Sequence, residues 1–202
     1  NVLMMPCEVP FWSVWLSFAV CAFIGIFFGY LPARKAARMV SFCDAFSIPV
    51  VTLVDSVGVD NSAPREPAPV FGKLAKAYAT ATTAKISVVV GNAYGAAFTL
   101  LGSRALGADL ALALPETVIS VLPPEVAVAF LMNDQITQDK PREAVEAEWM
   151  ETVASPVAAA ESGDIDDIIP AYELRARLSS ALYMLAEKAD TTPDRKHGVP
   201  TL

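Results

Sequence analysis

Histidine is almost missing from this 202-residue chain: the single one, His197, sits in the polar stretch "TTPDRKHGVPTL" at the end. That placement excludes a Ser-His-Asp set and argues against a structural zinc site. The three cysteines, Cys7, Cys21 and Cys43, are odd in number and lack Cys-x-x-Cys spacing, so they read as buried thiols of a reducing compartment, not as a disulfide framework. No Gly-x-Gly-x-x-Gly follows a strand, and there is no Walker-type lysine loop. Charge is scarce too. Charged residues make up 18% of the chain, against about 25% in an average soluble domain. The net charge is -7, and the only basic cluster along the sequence is the short Arg34, Lys35, Arg38 group. This argues against nucleic acid as a partner. An enzyme of this composition has to use backbone donors or bring its chemistry on a cofactor.

What the chain has in excess is apolar surface: 54% hydrophobic residues and a mean hydropathy of +0.43. The excess is concentrated at the front. From Phe11 to Leu31, "FWSVWLSFAVCAFIGIFFGYL" runs without a charge, and about twenty apolar residues suffice for a helix to cross a bilayer. Trp12, Trp15 and Tyr30 flank the run, and Arg34, Lys35 and Arg38 follow it, the pattern of an anchor with its bulk in the cytoplasm. Gly25, Gly29 and the β-branched and aromatic content of "AFIGIFF" are equally compatible with a buried strand of a larger sheet. The run does not read as a signal peptide, whose pattern calls for a basic region before it. Residues 1–32 are therefore read as an apolar leader, either a transmembrane helix or the remnant of a buried element.

Beyond Pro32 helix and strand patterns alternate. "ARKAARMVSFCDAF" is amphipathic, with Ala36, Met39, Val40, Cys43 and Phe46 near helical spacing, and "IPVVTLVD" reads as a fully buried strand. After a Pro-, Ser- and Asn-bearing loop from Ser56 to Pro69, "VFGKLAKAYATAT" gives a second helix and "AKISVVV" a second strand. A third helix opens at Gly91–Ala97 and runs to about Leu106, followed by short strands in "ADLALAL" and "VISVL". Such alternation predicts an α/β class with a mainly parallel sheet and right-handed crossovers. The last third is mostly helical. Helices are expected in "PPEVAVAFLMNDQ", in "REAVEAEWMETVAS" and in "SPVAAAESG", the last ended by Gly163. A short strand in "DIDDII" then leads to a long helix from Tyr172 to Lys188 with the apolar stripe Leu174, Leu178, Ala181, Leu182 and Leu185. Residues 33–190 form one domain in this reading, and 191–202 a polar tail.

The corner "GNAYGAAF" is the candidate site. Gly95, Ala96 and Ala97 let a substrate oxygen approach the main chain, and the first amides of a helix point outward without an intrahelical partner. The backbone N–H groups of Ala96 and Ala97 would make an oxyanion hole. The same small residues would equally serve close helix-on-sheet packing. Asp55 at a strand end reads as a turn carboxylate, and Asp164, Asp166 and Asp167 as a solvated strand edge.

Three blocks carry a resemblance: "KAARMVSFCDAFSIPVVTLVDSVG", "TAKISVVVGNAYGAAFTLLGSRALGADLALALPE" and "GDIDDIIPAYELRARLSSALYML". In this order they resemble the C-terminal half of the carboxyltransferase subunit of biotin-dependent acyl-CoA carboxylases and decarboxylases, of the propionyl-CoA carboxylase beta and methylmalonyl-CoA decarboxylase alpha type. The resemblance implies a crotonase-like spiral of β-β-α units and an enzyme that exchanges a carboxyl group between carboxybiotin and an acyl-CoA such as propionyl-CoA or methylmalonyl-CoA. It further implies biotin carried on a partner protein, bound at Tyr94, Gly95, Ala96 and Ala97. The Ala96 and Ala97 amides would stabilise the ureido oxygen, Thr99 would line the acyl pocket, and no metal would be needed. The implied partners are a second copy of the chain or an N-terminal carboxyltransferase half, and a biotin carrier protein. The implied location is cytoplasmic, with membrane association through residues 11–31 as a further expectation.

The chain also departs from the family pattern. Ala96 stands where Gly or Ser is usual, Gly91-Asn92 replaces Arg-Lys, and the loop from Asp60 to Phe71 lacks the usual Gly-rich, His-containing segment. In the last block Arg175 still falls at the family's arginine. The alternative is a non-catalytic, membrane-attached scaffold built on the same fold.

Overall fold

A computed structural model describes residues 31–58, 67–137 and 139–189. The helices are α1 (Leu31–Ala45), α2 (Pro67–Thr80), α3 (Gly95–Leu100), α4 (Pro124–Leu131), α5 (Arg142–Thr152), α6 (Pro156–Glu161) and α7 (Leu174–Met184). The strands are β1 (Val50–Ser56), β2 (Lys85–Tyr94), β3 (Leu110–Ala113), β4 (Val118–Ser120) and β5 (Asp167–Ile168). All five lie in one sheet of order β1-β2-β3-β5, with β4 also paired to β2. Every pairing is parallel, as the alternation of helix and strand demands.

Strand β2 is the spine. Its lower half, Ile86–Val89, pairs with β3, while Asn92–Tyr94 pairs with β4. Against β1 its register jumps: Val54 opposes Val89, but Ser56 opposes Ala93. Two extra β2 residues are thus absorbed between those pairs, a bulge that bends the strand just below the corner.

Three apolar clusters hold the layers. Ala37, Val40 and Cys43 of α1 pack with Val50 of β1 and with Leu74, Ala77 and Tyr78 of α2. Val54, Val89, Ala93, Ala111, Ala113 and Ile119 form the centre of the sheet under Phe98 and Ala159. On the other face, Ile86, Val88, Leu112 and Ile169 meet the α7 stripe Leu174, Leu178, Ala181, Leu182 and Leu185, the residues its 3.6-residue periodicity predicts.

Three expectations need correction. The buried stripe of α1 is Ala37, Val40 and Cys43, whereas Met39 and Phe46 are exposed, so the helix is rotated from the expected face. β1 is only half buried: Val51 and Leu53 are exposed. They share a face with their partners Ile86 and Val88, but α7 covers β2 and β3 and stops short of this edge strand. The third helix ends at Leu100 and not near Leu106. Gly102 takes a left-handed φ of 81° there, against the Tyr78 ring, where a Cβ would come within 2.9 Å of ring carbon Cε1. A separate 3-10 turn spans Arg104–Leu106.

Tyr78 is buried, and its hydroxyl lies 2.9 Å from Thr52 Oγ1. Burial raises its pKa above 10.0, and the Thr52 hydrogen bond offsets this only in part. The unfolded phenol therefore ionises first. Its contribution to stability is complete below the unfolded value and is lost as pH rises through the folded one. Urea midpoints compared between about pH 9 and pH 11 should fall in the wild type and fall less in Tyr78→Phe.

Among the described residues no helix is long and apolar enough to cross a membrane. Residues 11–30, on which the anchor expectation rests, lie outside the described residues, as do the tail and most of the loop between β1 and α2.

Candidate active site at the strand-to-helix corner

The corner is made by β2 running directly into α3, with Tyr94 as the N-cap in an extended conformation (φ -107°, ψ 132°). Tyr94 cannot cap with its own side chain, so the first-turn amides of α3 are left to other acceptors. Gly95 has φ 54°, the left-handed region. An added Cβ there would lie 2.9 Å from the backbone carbonyl oxygen of Val121, because β4 pairs beside Tyr94 through Ser120 and brings the following residue against the corner. Glycine is thus required twice over, by conformation and by space. Gly95→Ala should cost about 1–3 kcal/mol of unfolding free energy, read as a lowered urea midpoint.

Ala96 is exposed and Ala97 buried. The only described non-glycine residue with positive φ is Ser47, so the extra methyl of Ala96 sits on ordinary backbone and does not distort the turn. No turn, loop or cap hydrogen bond among the described residues uses the N–H of Ala96 or Ala97. The carbonyl of Ala97 accepts from the Leu101 N–H at 3.1 Å to close the short helix. Thr99 is exposed on α3, and its carbonyl accepts from the Ser103 hydroxyl at 2.9 Å.

A polar relay below the corner was only half legible. Asp55 Oδ1 accepts from the Asn92 N–H at 2.9 Å, and Asn92 Oδ1 accepts from the Tyr94 hydroxyl at 3.1 Å. Asp55 is indeed a satisfied carboxylate, but it spans two strands and holds the β2 bulge. It fits because position 91 is glycine: a Cβ on Gly91 would lie 2.4 Å from Asp55 Oδ1. The pKa of Tyr94 is raised, first by burial and then by the negative charge of Glu125, so the phenol stays protonated at neutral pH. Glu125 stands in the first turn of α4. No sequence signal pointed to it, since it lies thirty residues from the corner and is brought near by the β2–β4 pairing.

The other acidic candidates are structural. Asp166 Oδ2 accepts from the Ala111 N–H at 2.8 Å, its other oxygen pairs with Arg104, and Asp167 is 3.8 Å from Arg177. Arg175 is exposed on α7. Among the described residues no cluster of His, Cys, Asp and Glu could hold a metal ion. The corner therefore offers main-chain donors, a neutral phenol and small side chains. That donor set suits an oxygen on which negative charge develops.

A family model described as the carboxyl transferase domain matches residues 23–200. The propionyl-CoA carboxylase beta chain of Saccharopolyspora erythraea is 40% identical over 177 residues, covering 82% of this chain and 32% of that one. The methylmalonyl-CoA carboxyltransferase 12S subunit of Propionibacterium freudenreichii subsp. shermanii is 37% identical over 171 residues, covering 81% and 33%. A solved structure, the transcarboxylase 12S hexamer with methylmalonyl-coenzyme A and methylmalonic acid bound, is similar with a TM-score of 0.75 and 35% identity, over 83% of this chain and 33% of that one. The chain thus spans about a third of the length of the curated relatives it matches.

Proposed function

The chain belongs to the carboxyl transferase domain family and has the crotonase-type α/β fold, and on that premise we propose that it is the biotin-side half of an acyl-CoA carboxyltransferase. The reaction is transfer of a carboxyl group between carboxybiotin and an acyl-CoA of the propionyl-CoA/methylmalonyl-CoA class, in the cytoplasm. The reading of the chain as one domain over residues 33–190 goes with this proposal. The observation that carries it is the corner itself: a left-handed Gly95 against Val121, followed by two amides that start a helix.

Biotin, delivered on a carrier protein, would supply the carboxyl group. The residues here bind and orient. The Ala96 and Ala97 N–H groups would donate to the ureido oxygen, where fixed donors need no reorganisation as charge gathers. Tyr94, uncharged at neutral pH, would form one wall without repelling that charge. Thr99, exposed on the same helix, would face the acyl group. Names of relatives support the substrate class: propionyl-CoA carboxylase and methylmalonyl-CoA carboxyltransferase. A second half, from another copy or from an N-terminal carboxyltransferase chain, would complete the site.

The test is to assemble the chain with an N-terminal carboxyltransferase half and measure carboxyl exchange between biotin and methylmalonyl-CoA. Exchange above that of either part alone is the expected result. A folded, assembled complex with no exchange would reject the assignment.

A further inference from the structure

Along the sequence the cations look sparse, but the fold segregates them. α1 carries Arg34, Lys35 and Arg38 with one carboxylate, Asp44, and α2 carries Lys73 and Lys76 with none. These two helices hold a net of four positive charges in a chain whose total is -7. Asp44 is already committed, since its Oδ1 accepts from the Thr82 and Thr83 N–H groups and the Thr82 hydroxyl.

Elsewhere the described cations are mostly matched. Arg104, Lys140, Arg177 and Lys188 all stand against carboxylates, and Lys85 donates to helix carbonyls. Arg38, Lys73 and Lys76 have no carboxylate partner among the described residues. They line one groove of about 340 Å³ between α1 and α2, floored by Ala37 and Ala77 and edged by Ser41 and Thr80. The two hydroxyls donate to carbonyls of their own helices, so recognition in the groove falls to the three cations.

We propose that this groove binds a small phosphate-bearing anion. Residues Lys73 to Thr80 cover about 10 Å along the helix, which suits a di- or triphosphate group lying between the two helices, its oxygens against Lys73 and Lys76 on one side and Arg38 on the other. Arg supplies a forked pair of donors and each Lys a mobile point charge, the usual combination for phosphate. The two alanine methyls keep the floor shallow and free of competing acceptors. None of the lining residues belongs to the Tyr94–Thr99 corner, so the groove stands independently of carboxyl transfer.

The experiment is calorimetric titration of the full chain with sodium tripolyphosphate at low salt. Saturable one-to-one binding is expected, weakened about tenfold or more in Lys73→Gln/Lys76→Gln and in Arg38→Gln, and weakened again as salt rises. Arg142→Gln on α5 removes an exposed charge elsewhere and should leave the affinity unchanged. Urea midpoints confirm that each variant is folded. Absence of binding by the folded wild-type chain, or an equal loss in Arg142→Gln, overturns the proposal. A second arm mixes the chain with phosphatidylglycerol vesicles. Flotation abolished by tripolyphosphate identifies lipid phosphate as a source of the same ligand chemistry. Flotation that tripolyphosphate does not touch, in a chain that shows no tripolyphosphate binding, sinks the soluble-anion site.

Discussion

Ala96→Pro should lower the rate of carboxyl exchange in the assembled complex by about a hundred- to thousandfold while leaving the fold intact. Proline removes the N–H that the proposed mechanism assigns to the ureido oxygen. The first turn of a helix tolerates it because that N–H has no carbonyl four residues back. A proline ring presses on both the Cβ and the N–H of the preceding residue; Gly95 removes only the first of these, so the urea melt reports whether its left-handed φ of 54° tolerates the second. Ala96 is exposed, so the ring meets no packed wall. Steady-state exchange kinetics beside a urea melt separate the two effects. Unchanged exchange in a folded variant would remove the Ala96 amide from the mechanism, whereas lost exchange with an unchanged midpoint supports it. Ala96→Ser keeps the donor and should retain most of the rate.

Lys85→Met should destabilise the domain by about 3–5 kcal/mol, measured as a loss in unfolding free energy. Lys85 is 5% exposed, and its ammonium donates to the carbonyls of Tyr78 and Ala81 at 2.7 Å each, closing the C-terminal end of α2. Charged donors are favoured at that end, where carbonyls are left over. Met matches the volume but donates nothing, so the two carbonyls lose their partner. The same corner ties the lower ends of the strands together. Asp109 Oδ2 accepts from the Lys85 N–H at 2.8 Å, and Lys188 stands within 3.0 Å of the same carboxylate. The ammonium fits because Gly107, with φ 83°, carries no Cβ, which would lie 3.2 Å from Nζ. A change below about 1 kcal/mol would mean that solvent, and not Lys85, satisfies the α2 terminus.

The sequence signals that survived folding are those with a strict period or a steric demand. The stripe Leu174, Leu178, Ala181, Leu182 and Leu185 reads directly as the buried face of α7. The run Ile86–Val90, apolar except for the buried Ser87, reads as the central strand, since strands covered on both faces lose the alternation of apolar and polar residues. Gly95 was legible as a corner, since a glycine between a strand pattern and a helix pattern marks a backbone that side chains would obstruct. The half-burial of β1 was not legible. "IPVVTLVD" is as apolar as a central strand, and only the extent of α7 decides that Val51 and Leu53 are bare. The stop of α3 at Leu100 was hidden for the same reason: the left-handed Gly102 answers to the Tyr78 ring, twenty-four residues away.

By itself, then, the amino-acid order determined the class of fold and the strand-to-helix corner, because periodicity and small residues are local properties. Tertiary structure alone decided which charges meet. Asp55 reaches the Asn92 amide through the β1–β2 register, Glu125 comes near Tyr94 through the β2–β4 pairing, and Lys73 and Lys76 join Arg38 across two packed helices. Electrostatic interactions act over a few ångströms of space and take no account of distance along the chain, so no reading of neighbours in sequence could have assembled them.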